Sequence, residues 1–130
     1  MDYWRDFGRQ ARGCVEVSQV LEPVLKKLEE LGKVIVALGP QGVSANLVGE
    51  ISFKASANEI LLEVKGCGCH VHIQSNSFQT LHFKQEESGH GEEPLVEFAD
   101  AQDRPVLRIW CPFEPEKYFA VRDLLQRGGA

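Results

Sequence analysis

The sequence predicts an α+β fold in which antiparallel β-sheet is flanked by a helix near each end of the chain. Two observations predict it. Apolar residues recur at helical spacing before Gly32 and again after Glu114, and between these points the hydrophobic period is 2. A run of strands between helices, rather than strict alternation of the two, is typical of sequential hairpins in an α+β fold.

The first predicted helix extends from about Ser18 to Leu31. Its apolar residues lie three or four positions apart: Leu21, Val24, Leu25, Leu28 and Leu31. Pro23 suits a first helical turn, and Gly32 directly follows the last apolar position as a helix stop. A further short helix is predicted around Trp4 and Phe7.

The first strands follow at once. Residues 33–38 form a continuous apolar run that ends at the turn sequence Gly39-Pro40-Gln41-Gly42. Residues 43–48 and 50–53 are predicted as strand, with a bend or bulge at Gly49.

The middle of the chain alternates between strand patterns and glycine-rich breaks. Residues 60–64 alternate as a strand, and Gly66-Cys67-Gly68-Cys69 interrupts the pattern. Residues 70–74 and 78–83 are predicted to pair as a hairpin across Ser75-Asn76-Ser77.

The last part of the sequence predicts a polar loop, a strand pair and a helix. Residues 84–93 are polar and contain glycine, which indicates a loop. The strand pair covers residues 95–98 and 106–111. The closing helix begins near Pro115, with Glu114 as its cap, and has an apolar face of Tyr118, Val121 and Leu125.

Composition narrows the function classes. The 130 residues, at 43% hydrophobic and 25% charged, fit a single globular domain covering 1–130. A net charge of −5 disfavours a nucleic-acid surface, which needs a basic stripe. No apolar run is long enough to span a membrane, and the first residues have no signal-peptide pattern. We therefore expect a cytoplasmic protein.

The four cysteines are expected to be free thiols in that compartment. Cys111 lies in an apolar run and is predicted to be core. Cys67 and Cys69 are separated by one glycine, which is too close for an easy mutual disulfide, and they interrupt the strand beside a histidine pair.

That pair, His70 and His72, is the densest group of candidate functional residues. In a strand, period-two geometry places His70, His72 and Gln74 on one face, about 7 Å between alternate positions. His82 lies on the predicted return strand and is expected to approach the row from across the hairpin.

Three interpretations of the histidines stay open at this point. Zinc is disfavoured, because structural sites space their ligands more widely and add a second pair, whereas Cys-x-Cys-His-x-His is too tight. An imidazole on an open sheet beside apolar side chains can be an axial haem ligand. The histidines can also be ordinary solvated residues of a sheet. No nucleophile elbow, P-loop or dinucleotide motif is present in the sequence.

Several segments resemble the cytosolic haem-utilisation carriers of the ChuX/HutX family, which are about half the length of HemS-type proteins. The resemblance spans residues 31–125. It lies in Leu31-Gly32-Lys33-Val34 through Gly49-Glu50-Ile51, Cys69-His70-Val71-His72-Ile73 through Leu81-His82-Phe83, Leu95-Val96-Glu97-Phe98-Ala99-Asp100, and Val106-Leu107-Arg108-Ile109-Trp110.

The resemblance implies a split pair of antiparallel sheets with flanking helices, a homodimer that mimics the two-repeat HemS architecture, and haem binding for intracellular carriage. HemS-like chains have an Asp-x-Arg stretch followed by an aromatic residue, where this chain has His72-Ile73-Gln74 and Phe78. The hypothesis is therefore a haem-binding, non-enzymatic protein of haem or iron utilisation. His70 or His72 would ligate the iron, His82 and Phe78 would line the site, and Val71 and Phe78 would cover the porphyrin rim.

An alternative from another class is a small acidic dimeric secretion chaperone of the type-III kind. The same order of helix, sheet and helix suits that design. Such a chaperone would bind an unfolded effector segment in an apolar groove and would take up no haem. A haem-degrading enzyme is a third and less favoured hypothesis.

Overall fold

The protein is described by a computed structural model that covers residues 17–39, 44–56, 58–66, 68–77, 79–87, 89 and 91–126. Helix α1 is Val17–Leu28, continued by a 3-10 turn at Glu29–Leu31, and helix α2 is Pro115–Gln126. The strands are β1 (Lys33–Leu38), β2 (Ala45–Ala55), β3 (Glu59–Val64), β4 (Cys69–Gln74), β5 (Thr80–Glu87), β6 (Glu92–Ala99) and β7 (Pro105–Trp110). The α+β class with antiparallel sheet is confirmed, and the helix predicted around Trp4 and Phe7 lies outside the described residues.

The seven strands form one antiparallel sheet in the order β4-β3-β2-β1-β7-β6-β5. It consists of an N-terminal meander, β1–β4, and a C-terminal meander, β5–β7, in which consecutive strands pair. The meanders join where β1 meets β7, which we call the seam. Its ladder has the residue pairs Ile35–Trp110, Val36–Ile109 and Ala37–Arg108.

Strand β2 changes partner halfway along its length. Its first half pairs with β1, and its second half, from Ile51, pairs with β3. A side chain could not fit at Gly49, because a Cβ there would lie 2.3 Å from the carbonyl oxygen of Lys65. The predicted split pair of sheets is not confirmed, since the described strands have one continuous order and β2 belongs to both halves.

Both helices cover one face of the sheet, and the core lies between them and the alternate residues of the strands. Helix α1 buries Val24, Leu25 and Leu28 there, as its helical spacing predicts. The buried side chains of α2 are those of Tyr118, Val121 and Leu125. Cys111 is also in this core, as predicted. We call the opposite surface of the sheet the outer face.

The predicted hairpin between residues 70–74 and 78–83 is wrong. Strand β4 pairs with β3, β5 pairs with β6, and β4 and β5 are the two edge strands of the sheet. The polar segment predicted as a loop continues β5 to Glu87, which lies opposite Glu92. Strand β6 begins at Glu92, so the connection between these strands is shorter at both ends than the predicted loop, and it contains Gly89 and Gly91, both at positive φ.

The two edge strands are nevertheless joined by a short connection, residues 75–79. Six residue steps from Gln74 to Thr80 span at most about 22 Å. In a flat seven-stranded sheet the edges would be about 29 Å apart, at roughly 4.8 Å per strand spacing. The sheet is therefore curled, and it brings one end of β4 towards one end of β5.

The end of helix α1 and the 3-10 turn that follows it also complete the hydrogen bonding of β2 beyond the end of β1. The carboxylate of Glu29 accepts the Phe53 N–H at 2.7 Å, and the Lys26 ammonium donates to the Phe53 carbonyl at 3.1 Å. The two side chains form an ion pair at 3.3 Å. Because β1 begins at Lys33, which lies opposite Glu50, this ion pair takes the place of a neighbouring strand beside Phe53.

Within the described part of the chain, neither helix is both long and apolar enough to cross a membrane.

We expect Glu29→Ala to lower the free energy of unfolding by about 1–2 kcal/mol, because it leaves a strand N–H without its charged acceptor. The matched control is Glu30→Ala, which removes a neighbouring exposed carboxylate that forms an ion pair with half-buried Lys27 at 3.5 Å. That variant should lose less than about 0.5 kcal/mol. Urea unfolding followed by circular dichroism measures both, and equal losses would contradict the role of Glu29.

Candidate functional site

The histidine pair of β4 lies on the outer face. His70, His72 and Gln74 are exposed, while Ile73 is buried between them in the alternate position. The period-two prediction for this row is confirmed. Val71 alternates with the histidines and packs against the core, so the prediction that it covers a ligand on their face is wrong.

His72 has a hydrogen-bond partner on the adjacent strand β3. Its Nδ1 bonds to Oε1 of Glu59, and the two side chains are 68% and 49% exposed. A carboxylate is an acceptor, so Nδ1 carries the hydrogen of this bond. In the neutral ring the other nitrogen, Nε2, then holds a lone pair on an exposed side chain, which is the form of histidine that binds metal.

The residues around this pair are set by the register of β3 and β4. Leu61 lies opposite His72, and Glu63 lies opposite His70. The Glu63 carboxylate forms an ion pair with Lys54 of β2 at 3.8 Å. We call His70 and His72, with Glu59 and Leu61 of β3 beside them, the histidine face.

His82 is in a different environment. It lies on β5, opposite Glu97 of β6, and is only 7% exposed. Its Nε2 is 3.2 Å from Oδ1 of Asp103, a residue held at φ 64° in the turn between β6 and β7. Strand pairing does not bring His82 beside His70 and His72. Phe78 and Cys67 lie outside the described residues, and Cys69 is partly exposed at the start of β4.

A second group of charged residues, which sequence reasoning missed, lies beside His82. Glu97 is 2% exposed, accepts a hydrogen bond from Arg108 Nε at 2.8 Å, and forms an ion pair with Lys84 Nζ at 2.6 Å. Burial alone would raise the pKa of Glu97, but the hydrogen bonds and charges of Lys84 and Arg108 outweigh it and hold the pKa below the usual value. The shortest ion pair of Lys84 and the hydrogen bond of Arg108 are both made to this buried carboxylate, which indicates a structural role for the group.

The donor set decides which metal chemistry fits. Within the described ranges, no three Cys, His, Asp or Glu side chains come together in a way that could hold a metal ion. A zinc site needs three or four protein ligands, so the described residues give it no support. Haem needs less from the protein, because the porphyrin supplies the in-plane nitrogens and one imidazole can complete the coordination. His72 has an available Nε2, and Leu61 beside it is apolar, so these residues fit the group.

Comparison with known proteins gives a fold but no close relative by sequence. No protein-family model matches the chain, and no curated protein matches it. The heme-binding protein ChuX has a solved structure with a TM-score of 0.67 and 15% identity, over 87% of this chain and 75% of ChuX.

Two longer proteins of known structure share the fold. Apo-PhuS, a heme-binding protein from Pseudomonas aeruginosa, matches with a TM-score of 0.59 and 14% identity, over 85% of this chain and 33% of its own. ChuS, an E. coli heme oxygenase, matches with a TM-score of 0.64 and 10% identity, over 83% and 35%. The predicted ChuX-like fold is therefore confirmed, and none of these three proteins is named as a chaperone, so the alternative of a secretion chaperone gains no support.

We expect Glu97→Gln to lower the free energy of unfolding by about 1–3 kcal/mol at neutral pH, because it removes the shared partner of two cations. The folded-state pKa of Glu97 is below its unfolded value, so its contribution is complete above the ordinary glutamate range and is lost as pH falls through the lowered value. The difference between wild type and variant should therefore shrink in acid.

The matched control for this substitution is Glu86→Gln, on the neighbouring strand. Glu86 also pairs with Lys84, at 3.8 Å, but its side chain is 39% exposed. Its loss should cost less than about 0.5 kcal/mol at any pH. Thermal unfolding between neutral and acid pH measures both, and a Glu97→Gln deficit that is constant with pH would contradict the prediction.

Proposed function

We propose that this chain is a haem-binding protein of haem or iron utilisation or trafficking, with an iron ligand on the histidine face. The observation that carries the proposal is the exposed imidazole pair of β4, in which Glu59 orients His72. The fold supports it, since ChuX and PhuS, which share the fold, are both named as heme-binding proteins.

The ligand is proposed to be His70 or His72, because both are exposed on the open outer face. His82 is less suited to direct ligation, since it is buried and its Nε2 is bonded to Asp103. A lining role for His82 and for Phe78 stays a prediction.

Carriage, rather than haem degradation, is the proposed role. A carrier must release its cargo to an acceptor, and an exposed ligand on an edge strand leaves the iron accessible for exchange. Oxidative chemistry on a bound haem is helped by a closed site that excludes water, and the histidine face is open. ChuS, which shares the fold, is named as a heme oxygenase, so haem degradation is the alternative activity that the experiments must distinguish from carriage.

We further propose that the chain is a homodimer. The match covers 33% of PhuS and 35% of ChuS, so two copies of this chain would account for roughly two thirds of either protein. Light scattering of the purified protein, with and without haem, should give twice the chain mass. A monomer mass in both states would contradict the dimer and leave the haem proposal standing.

Haem titration followed by the Soret band tests the function directly. Wild type should show a saturable band shift at one haem per chain. The double variant His70→Ala/His72→Ala should lose it, because it removes both proposed iron ligands. Gln74→Ala is the matched control, since Gln74 is the third exposed residue of the same row, and it should titrate as wild type does.

Three results would count against the proposal. If wild type shows no saturable shift of the Soret band, the proposal of haem binding is wrong. If the double variant shows the full shift, the assignment of His70 or His72 as iron ligand is wrong. In the third result, a reductant and oxygen are added to haem-loaded wild type, the Soret band is lost and a biliverdin-like product forms. The role would then be haem degradation and not carriage.

A further inference from the structure

We propose that Glu59 is the positioning residue that makes His72, rather than His70, the iron ligand. The inference rests on the proposed haem function and assigns the iron ligand to Nε2 of His72. Glu59 would act through His72 and would not touch the haem.

The register of β3 and β4 brings the two side chains together. Glu59 lies opposite Gln74, and Leu61 lies opposite His72, so Glu59 and His72 are diagonal neighbours on the outer face. Diagonal pairs of this kind are within reach of long side chains. The contact joins His72 Nδ1 and Glu59 Oε1, and the partially exposed carboxylate is anchored by its position on a paired strand.

This contact determines which ring nitrogen is available. Because the carboxylate accepts a hydrogen bond, it holds the hydrogen on Nδ1 and leaves Nε2 of the neutral ring as a donor to metal. The negative charge on the far side of the ring also makes Nε2 a stronger donor. Carboxylate partners of metal-binding histidines act in this way, and losing one typically costs about 10–100-fold in metal affinity.

His70 has no matching arrangement among the described residues. The carboxylate opposite it belongs to Glu63, and that carboxylate pairs with Lys54 at 3.8 Å rather than with His70. The lysine offsets the negative charge that would otherwise act on the His70 ring. The two imidazoles share a strand and a face but differ in the polarisation of the ring.

Nuclear magnetic resonance of the protein without haem tests the first step. Long-range nitrogen–hydrogen spectra report which ring nitrogen carries the hydrogen. In wild type at a pH where the ring is neutral, His72 should carry it on Nδ1. In Glu59→Ala the hydrogen should move mainly to Nε2, the form that an unconstrained histidine prefers. The matched control is Glu63→Ala, which should leave His72 unchanged.

Haem binding tests the second step. His72→Ala should abolish the Soret shift and His70→Ala should keep it. Glu59→Ala should weaken haem binding by about 10–100-fold, whereas Glu63→Ala should bind as wild type does. Glu59→Gln keeps a hydrogen-bond acceptor without the negative charge. Its haem affinity should therefore lie between the affinities of wild type and Glu59→Ala, and the reduction potential of the bound iron should be higher than in wild type.

The outcomes separate this inference from the haem proposal. If wild type binds no haem, both fail together. If wild type binds haem but His70→Ala loses it and His72→Ala does not, only this inference fails. Equal effects of Glu59→Ala and Glu63→Ala on the His72 ring and on haem affinity would also overturn it.

Discussion

The seam between β1 and β7 is the interaction on which the rest of the structure depends. Within each meander consecutive strands pair, and the short ladder between β1 and β7, which includes the pair Val36–Ile109, joins the two meanders into one sheet. Both of these residues are fully buried, so the seam lies at the centre of the core. The helices pack across the same face and bury their apolar sides against strands of both meanders. A continuous core therefore requires this non-local pairing.

The outer face differs in character on the two sides of the seam. Towards β4 it is open and carries exposed imidazoles, and towards β5 and β6 it is buried and carries the Glu97 group with His82. The buried carboxylate of Glu97 is stabilised by the cations of Lys84 and Arg108. The imidazoles at the open end keep their chemistry available. Solvent exposure, rather than residue type, separates the candidate binding site from the structural polar group.

Local patterns in the sequence were sufficient for the first helix, for β1 and for the shared face of His70 and His72. They could not predict which strands pair. Residues 70–74 and 78–83 look like a hairpin because only a few polar residues separate them, whereas their partners are chosen by core formation along the whole chain. The partnership of Glu59 with His72 was missed for the same reason. It depends on the register of β3 and β4, which periodicity within either strand does not determine.

The short connection between the two edge strands also sets where the chain could be divided. Because β4 and β5 are consecutive in sequence and do not pair, a break within residues 75–79 would interrupt no strand ladder. One fragment would carry α1 with β1–β4, and the other would carry β5–β7 with α2. Each would keep its own hairpins, and each would expose half of the core until the seam formed. The architecture is therefore that of a two-part protein, suited to fragment complementation, in which reassembly and core formation are a single event.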